Sequence, residues 1–453
     1  MKYLQGVLAS AFTLALGIAS AQANVPSEQA NRLGNDLTPL GAEKAGDGGD
    51  VPAWTGGLQT IPSNVKYQDG DHLENPFPDD KALYTVTGQN MGQYQQFLTP
   101  GQAKMLELYK DYKLEVYKTR RTCAYPDNVY AATKNNASVA ELVGGGNGVA
   151  KGIMGFPFPI PNNAYEIIWN HTLRYRSFKL MRQFTAMPVT DSGNYTPIIV
   201  KDQVILWWSD PSKKSAEDLD NSSIFYIART IAPARAAGNI VLVHEAMNAE
   251  KRPRQAWQYS PGTRRVRRAP NIAFDNPGVN TDGLSTADSF DGYNGSLERY
   301  DWTVLGKNVR FVAANSYDMG LAKYKDLVKA RHLNQDFLRY EKRRVWEIQA
   351  DLKSGTRHVY KRRVYHIGED SWQIASAELY DGRGQLWRVS ELEQLQAYNV
   401  PLCLYAGQMD YDLQAGRYLA SALNNEEPAV NFFADELSGD EYTPSAIRRM
   451  GSR

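Results

Sequence analysis

From residue 344 to residue 390 apolar and polar side chains tend to alternate along the chain, and three short polar turns interrupt the pattern. Trp346, Ile348, Ala350 and Leu352 would share one face of a strand, with Val345, Glu347, Gln349 and Asp351 on the other, because successive strand side chains point to opposite sides. The turns are Lys353-Ser354-Gly355, Gly368-Glu369-Asp370 and Asp381-Gly382-Arg383-Gly384. Residues 344–352, 356–367, 372–380 and 385–390 therefore read as the four strands of an antiparallel meander. A sheet of this kind has to bury at least one face against something else.

The same signal extends upstream. Residues 174–184, 196–208, 222–230 and 239–247 read as strands, each bounded by Pro, Gly, Asn or Asp. Residues 255–260 and 263–269 flank Pro261-Gly262 as a hairpin, with Trp257 and Tyr259 on one face. Helices are fewer. Thr99-Pro100-Gly101-Gln102 carries a capping box with proline in the first turn; residues 129–143 and 161–169 are further helices. Residues 24–95 are rich in turn formers and read as an irregular arm on the main body. Residues 271–306 are mostly loop, and long loops in compact domains often carry function. The predicted fold is mainly β (α+β): a long curved antiparallel sheet, or incomplete β-barrel, with helices packed on its concave side. Residues 96–425 would form one extended domain, followed by a polar, partly ordered tail at 426–453.

The N-terminus bears on where such a fold works. Lys2, an apolar stretch at 7–18 and Ala21-Gln22-Ala23 have the three parts of a secretory signal. Cleavage after Ala23 leaves Asn24, not a lipid-acceptor Cys, at the new terminus. Export to an oxidising compartment makes a Cys123–Cys403 disulfide an expectation, with two separate buried thiols as the alternative. Loss of Lys2 from 51 basic side chains leaves 50, against 50 acidic ones, so no net positive field attracts nucleic acid.

Candidate sites follow from these faces. If one sheet face lines a hollow, Trp207, Trp257, Tyr259, Trp346, Ile348 and Trp372 are the cavity candidates; ordinary core packing is the alternative for each. Residues 144–161 hold six glycines and then Phe156-Pro157-Phe158-Pro159-Ile160-Pro161. The favoured reading is a loop packed over the core edge; the other makes Ile153, Met154, Phe156 and Phe158 a lid. Arg264, Arg265, Arg267 and Arg268 are either a solvated strand or a clamp for an anionic headgroup or acidic partner. Enzyme signals are weak. His244-Glu245 starts like a zinc-protease motif, but Asn248 replaces the second ligand. No catalytic residue, metal site or cofactor is assigned.

The segments Gly46-Asp47-Gly48-Gly49-Asp50-Val51-Pro52-Ala53-Trp54-Thr55-Gly56-Gly57 and Trp257-Gln258-Tyr259-Ser260-Pro261-Gly262-Thr263-Arg264-Arg265-Val266-Arg267-Arg268-Ala269-Pro270, with the signal and the final meander, resemble the bacterial family catalogued as domain of unknown function 1329. That family resembles the outer-membrane lipoprotein-sorting (LolA/LolB-like) proteins, an incomplete barrel closed by helices around an apolar cavity. It is also associated with resistance-nodulation-division transporters and companion outer-membrane proteins. The resemblance implies a periplasmic carrier or accessory factor for a hydrophobic or lipid-like molecule. A ligand-free adaptor between transporter and outer-membrane protein is the second hypothesis, and a periplasmic hydrolase the third.

Overall fold

The computed structural model describes residues 25–269 and 274–452; the expected signal, residues 1–23, lies outside the described residues. In chain order the strands are β1 (Tyr84–Thr87), β2 (Lys113–Val116), β3 (Glu141–Val143), β4 (Gly148–Ala150), β5 (Lys179–Val189), β6 (Ile198–Leu206), β7 (Ser222–Ala232), β8 (Ile240–Ala246), β9 (Gln255–Ser260), β10 (Arg265–Arg268), β11 (Tyr300–Ala313), β12 (Tyr340–Leu352), β13 (Arg362–Gly368), β14 (Ile374–Tyr380), β15 (Leu386–Ala397), β16 (Leu402–Asp412) and β17 (Arg417–Leu423). The α-helices are α1 (Ser27–Ala30), α2 (Pro100–Leu108), α3 (Asp127–Val139), α4 (Ala164–Thr172), α5 (Tyr317–Leu321), α6 (Tyr324–Leu327) and α7 (Pro444–Gly451). None of the described helices is long and apolar enough to cross a membrane.

Fifteen strands form one sheet in the order β1-β2-β12-β13-β14-β15-β16-β17-β5-β6-β7-β8-β9-β10, with β11 branching from β12. Neighbours run antiparallel except where β2 meets β12. The sheet is open, with β1 and β10 at its ends. The meander appears as β12–β15, although residues 356–360 do not join it and β13 begins at Arg362. It continues through β16 and β17, and β17 pairs with β5, which welds the late strands to the early ones.

Tracing Cα partners from strand to strand separates two faces. Ile348, Tyr365, Ala377 and Ser390 share one side with Asp410, Leu419, Arg182, Val204, Tyr226 and Val243; we call it the front. Over β11–β14 the front face is filled. Helix α4 meets β11 and β12, and Phe156, Phe158, Ile167, Ile168 and Trp372 join the core there. Helices cover the back face too, because it also carries apolar residues. Helix α2 lies against β14 and β15, and α7 against β8, β9 and β10. The capping box forms as spaced: the Gln102 amide donates to Thr99 Oγ1 (3.2 Å), and the Thr99 amide donates to Gln102 Oε1 (3.3 Å).

Several side chains fasten the arm, Arg121 among them. Arg121 donates to the carbonyls of Glu43 (2.8 Å), Lys44 (3.3 Å) and Pro52 (3.2 Å), and to the Asp370 carboxylate (2.6 Å). Gly57 has φ +71°, and a Cβ there would run into the Cys123 carbonyl oxygen. The Trp54-Thr55-Gly56-Gly57 run therefore serves close approach of two backbones. Cys123 and Cys403 are disulfide-bonded, with α-carbons 5.6 Å apart.

Candidate functional site: a cavity on the open half of the front face

Where β5–β8 meet β16 and β17, none of the described helices fills the front face, though α5 meets β16 at the rim, and a cavity of about 360 Å³ remains. Its walls repeat with the two-residue period of strands. Leu180, Phe184 and Ala186 come from β5; Val200, Val204 and Leu206 from β6; Ile224, Tyr226 and Ala228 from β7; Val241 and Val243 from β8. Leu402, Leu404, Ala406 and Leu419 complete the apolar lining from β16 and β17. Residues Tyr67, His72 and Leu73 of the arm, Leu321 and the segment 278–294 close the rim. Val279, Phe290 and Leu321 present exposed apolar side chains there.

A cluster of charged side chains interrupts this lining. The Asp291 carboxylate, from the segment read as loop, receives Arg174 Nη2 at 2.5 Å and Arg176 Nη1 at 2.7 Å. Burial works against ionisation of Asp291, but Arg174 and Arg176 outweigh it and hold the carboxyl at about 2. Burial, and then the like charge of Arg174, pull Arg176 down to about 10. Beside them Arg182 Nε contacts Asp202 Oδ2 at 2.9 Å. Burial opposes the charge on Arg182; Asp202 overcomes it and raises the guanidinium above its ordinary value. The Tyr405 hydroxyl, raised by burial and by Asp291, faces the same cluster. His171 Nε2 lies 2.8 Å from the Asp291 carbonyl; burial and Arg174 push its ring down to about 3, so it stays neutral.

The six aromatic and aliphatic candidates lie elsewhere, for two reasons. Trp207, Trp257 and Tyr259 sit on the back face with α7 and the last residues of the chain; the Tyr259 hydroxyl donates to the Gly451 carbonyl (3.0 Å). On a strand, the neighbouring residue points the other way, so choosing the aromatics selected the face opposite the hollow. Trp346, Ile348 and Trp372 do belong to the front, but to its filled half. The Trp372 ring stacks on Trp346, and its indole N–H donates to the Leu40 carbonyl (2.8 Å).

Ile153, Met154, Phe156 and Phe158 belong to the core around α3 and α4. Asn136 donates to the carbonyls of Ile153 (3.0 Å) and Phe156 (3.3 Å), and Asn170 to that of Phe158 (2.7 Å). This stapled loop contributes no residue to the cavity, whose rim is built by 278–294 instead. Arg264, Arg265, Arg267 and Arg268 are exposed, on and just before the edge strand β10. They make no ion pair among the described residues and do not line the cavity. Arg174, Arg176, Arg182, Asp202 and Asp291 went unrecognised in the sequence. The available signal was Arg182 at the same parity as Leu180 and Phe184, a charge on an otherwise apolar face.

Comparisons with known proteins give these likenesses. A family model described as "Protein of unknown function (DUF1329)" matches residues 85–448. An uncharacterised protein of Pseudomonas aeruginosa is 44% identical over 450 residues, which is 97% of each chain. A solved DUF1329 family protein from Desulfovibrio piger matches 60% of this chain and 92% of its own, at 14% identity and a TM-score of 0.42. A structure described as an outer membrane lipoprotein-sorting protein domain, from Vibrio parahaemolyticus, also covers 60% and 92%, at 12% identity and a TM-score of 0.41. A LolA superfamily protein from Nitrosomonas europaea covers 62% and 98%, at 10% identity and a TM-score of 0.36.

Proposed function

The chain belongs to the DUF1329 family, and from that premise we propose that it binds and carries a hydrophobic, lipid-like molecule in the envelope, accessory to a transport system. The observation that carries this reading is the hollow itself. An apolar-walled space of about 360 Å³ persists where the rest of the same sheet face is filled by helices and aromatic rings. That volume falls in the usual range of small-molecule sites, about 300–1,000 Å³. Burial is then the whole mechanism. Each methylene withdrawn from water contributes about 0.8 kcal/mol, so an acyl chain gains affinity with length and needs few directional contacts. Release requires a conformation or partner that binds the molecule better. The rim segment 278–294 is the element we assign to gating, since it meets the cavity through exposed Val279 and Phe290.

The test is extraction of protein purified from its own envelope, followed by mass spectrometry, together with titration of an apolar fluorescent probe. An apolar molecule should co-purify, and the probe should bind in competition with it. A purified protein that carries nothing and takes up no probe would sink the carrier reading and leave the ligand-free adaptor.

A further inference from the structure

Resting on the carrier reading, we propose that the cargo bears a single anionic oxygen head, a long-chain carboxylate being the simplest case, and that Arg176 with Arg174 receives it. Apolar walls alone would accept any greasy molecule. The cluster at one side of the cavity adds a condition.

Its charges do not balance. Arg174 and Arg176 share one carboxylate, that of Asp291, while Arg182 is matched by Asp202. The neighbouring His171 is held neutral by burial and by Arg174, so it neither adds to the excess nor relieves it. The other acids of the lining are committed elsewhere. Glu245 pairs with Arg254 (2.6 Å), Asp410 accepts from Ser390 (2.5 Å) and Gln408 (3.1 Å), and Asp71 is exposed at the rim. Within this cluster one positive charge is left over, beside an apolar space.

The leftover charge has room to act. The Arg174 side chain is only 1% exposed, whereas that of Arg176 is 22% exposed and lines the cavity. The Nε atoms of both arginines are buried without a hydrogen-bond partner among the described residues. A buried, half-matched guanidinium is costly, and a carboxylate oxygen bound at the exposed part of the Arg176 side chain would supply the missing charge. Guanidinium–carboxylate contacts are directional and charge-assisted, so the head fixes orientation while the chain lies along β5–β8. Because Asp291 sits on the rim segment, an incoming carboxylate competes with the bond that ties that segment to the wall. Entry of the proper cargo would thereby loosen its own gate.

The experiment compares hexadecanoate with hexadecanol, equal in chain and different in head, and adds a lysophosphatidic acid of the same chain. Each displaces an apolar fluorescent probe from the full chain at pH 8, for wild type and for Arg176→Met and Arg176→Lys, with folding of each checked by circular dichroism. Wild type should prefer the acid over the alcohol by about tenfold or more. In Arg176→Met that ratio should fall towards one, and Arg176→Lys should restore part of it. Preference for the lysophosphatidic acid over hexadecanoate would assign the head to phosphate and overturn the carboxylate. Equal affinity of wild type for acid and alcohol overturns the inference and leaves the carrier reading intact. Binding of none of the three ligands, nor of the probe, overturns both.

Discussion

His366 shows how a single buried charge shapes the pH response of the sheet. Its Nε2 lies 2.8 Å from Glu378 Oε2 and its Nδ1 lies 3.3 Å from Glu347 Oε1. Burial opposes protonation of the ring, but Glu378 and Glu347 outweigh it and raise its pKa to about 9. In the unfolded chain a histidine titrates near 6.5. The stability this group contributes is therefore fully present below about 6.5 and is lost as pH rises through about 9. The amount is about 3 kcal/mol. Glu347 forms the opposite limb. Burial opposes its ionisation, yet the neighbouring His366 and Arg310 hold it at about 2, so its contribution is present above about 4.5 and fades as pH falls towards 2. Urea denaturation at pH 6.5, 8 and 9.5 should show stability falling across that series. His366→Gln should be less stable at pH 6.5 and nearly flat across it. An equally steep fall in the variant would place the titrating group elsewhere.

Adjacent residues of one strand do opposite jobs here, and β7 offers the clearest pair. Ile227 points to the back, into the core under the last residues of the chain; Ala228 points to the front and lines the hollow. Ile227→Ala should cost about 2–5 kcal/mol of stability while retaining a bound apolar probe. Ala228→Phe puts a ring into the free space and should lower probe uptake severalfold, with a small change in thermal midpoint. The reverse pattern would mean the faces are assigned backwards. This division also explains what the sequence could disclose. Alternation revealed β5–β9 and the meander, and the Thr99 capping box located α2, because those signals are local. Strand β11 was passed over because its stretch 301–310 carries Asp301, Thr303, Lys307, Asn308 and Arg310 and looks like loop chemistry. It is a strand because β12 supplies a pairing edge, a fact held far along the chain. Alternation defines two faces, but nothing local says which one a helix will cover. Trp257 and Tyr259 looked like cavity wall for their size, and it was α7, from a tail read as partly ordered, that claimed them.

At the scale of the whole chain, the disulfide ties the cavity wall to the stretch on which the arm is anchored. Cys403 is on β16 and contributes to the cavity wall; Cys123 lies between β2 and α3, where the arm crosses. The arm depends on that same stretch: Trp54 Nε1 donates to the Cys123 carbonyl (3.2 Å), and the Leu58 amide donates to that of Thr122 (2.8 Å). The bond spans 280 positions of sequence, and everything from α3 to β15 lies inside the loop it closes. Constraint of so long a loop in the unfolded chain contributes about 2–4 kcal/mol. Replacement of both cysteines, Cys123→Ser with Cys403→Ser, should lower stability by that amount. The local consequence separates a cavity brace from a plain staple. With the tie gone, the arm loses its fixed anchor beside β16, and Tyr67, His72 and Leu73 are the part of the arm that closes the rim. Hydrogen exchange should therefore quicken over residues 54–73 well before it does in β5–β8, and apolar cargo should leave faster from the double variant than from wild type. Uniform quickening across the sheet, with unchanged release, would show that the bond steadies the fold and has no part in holding the cavity closed.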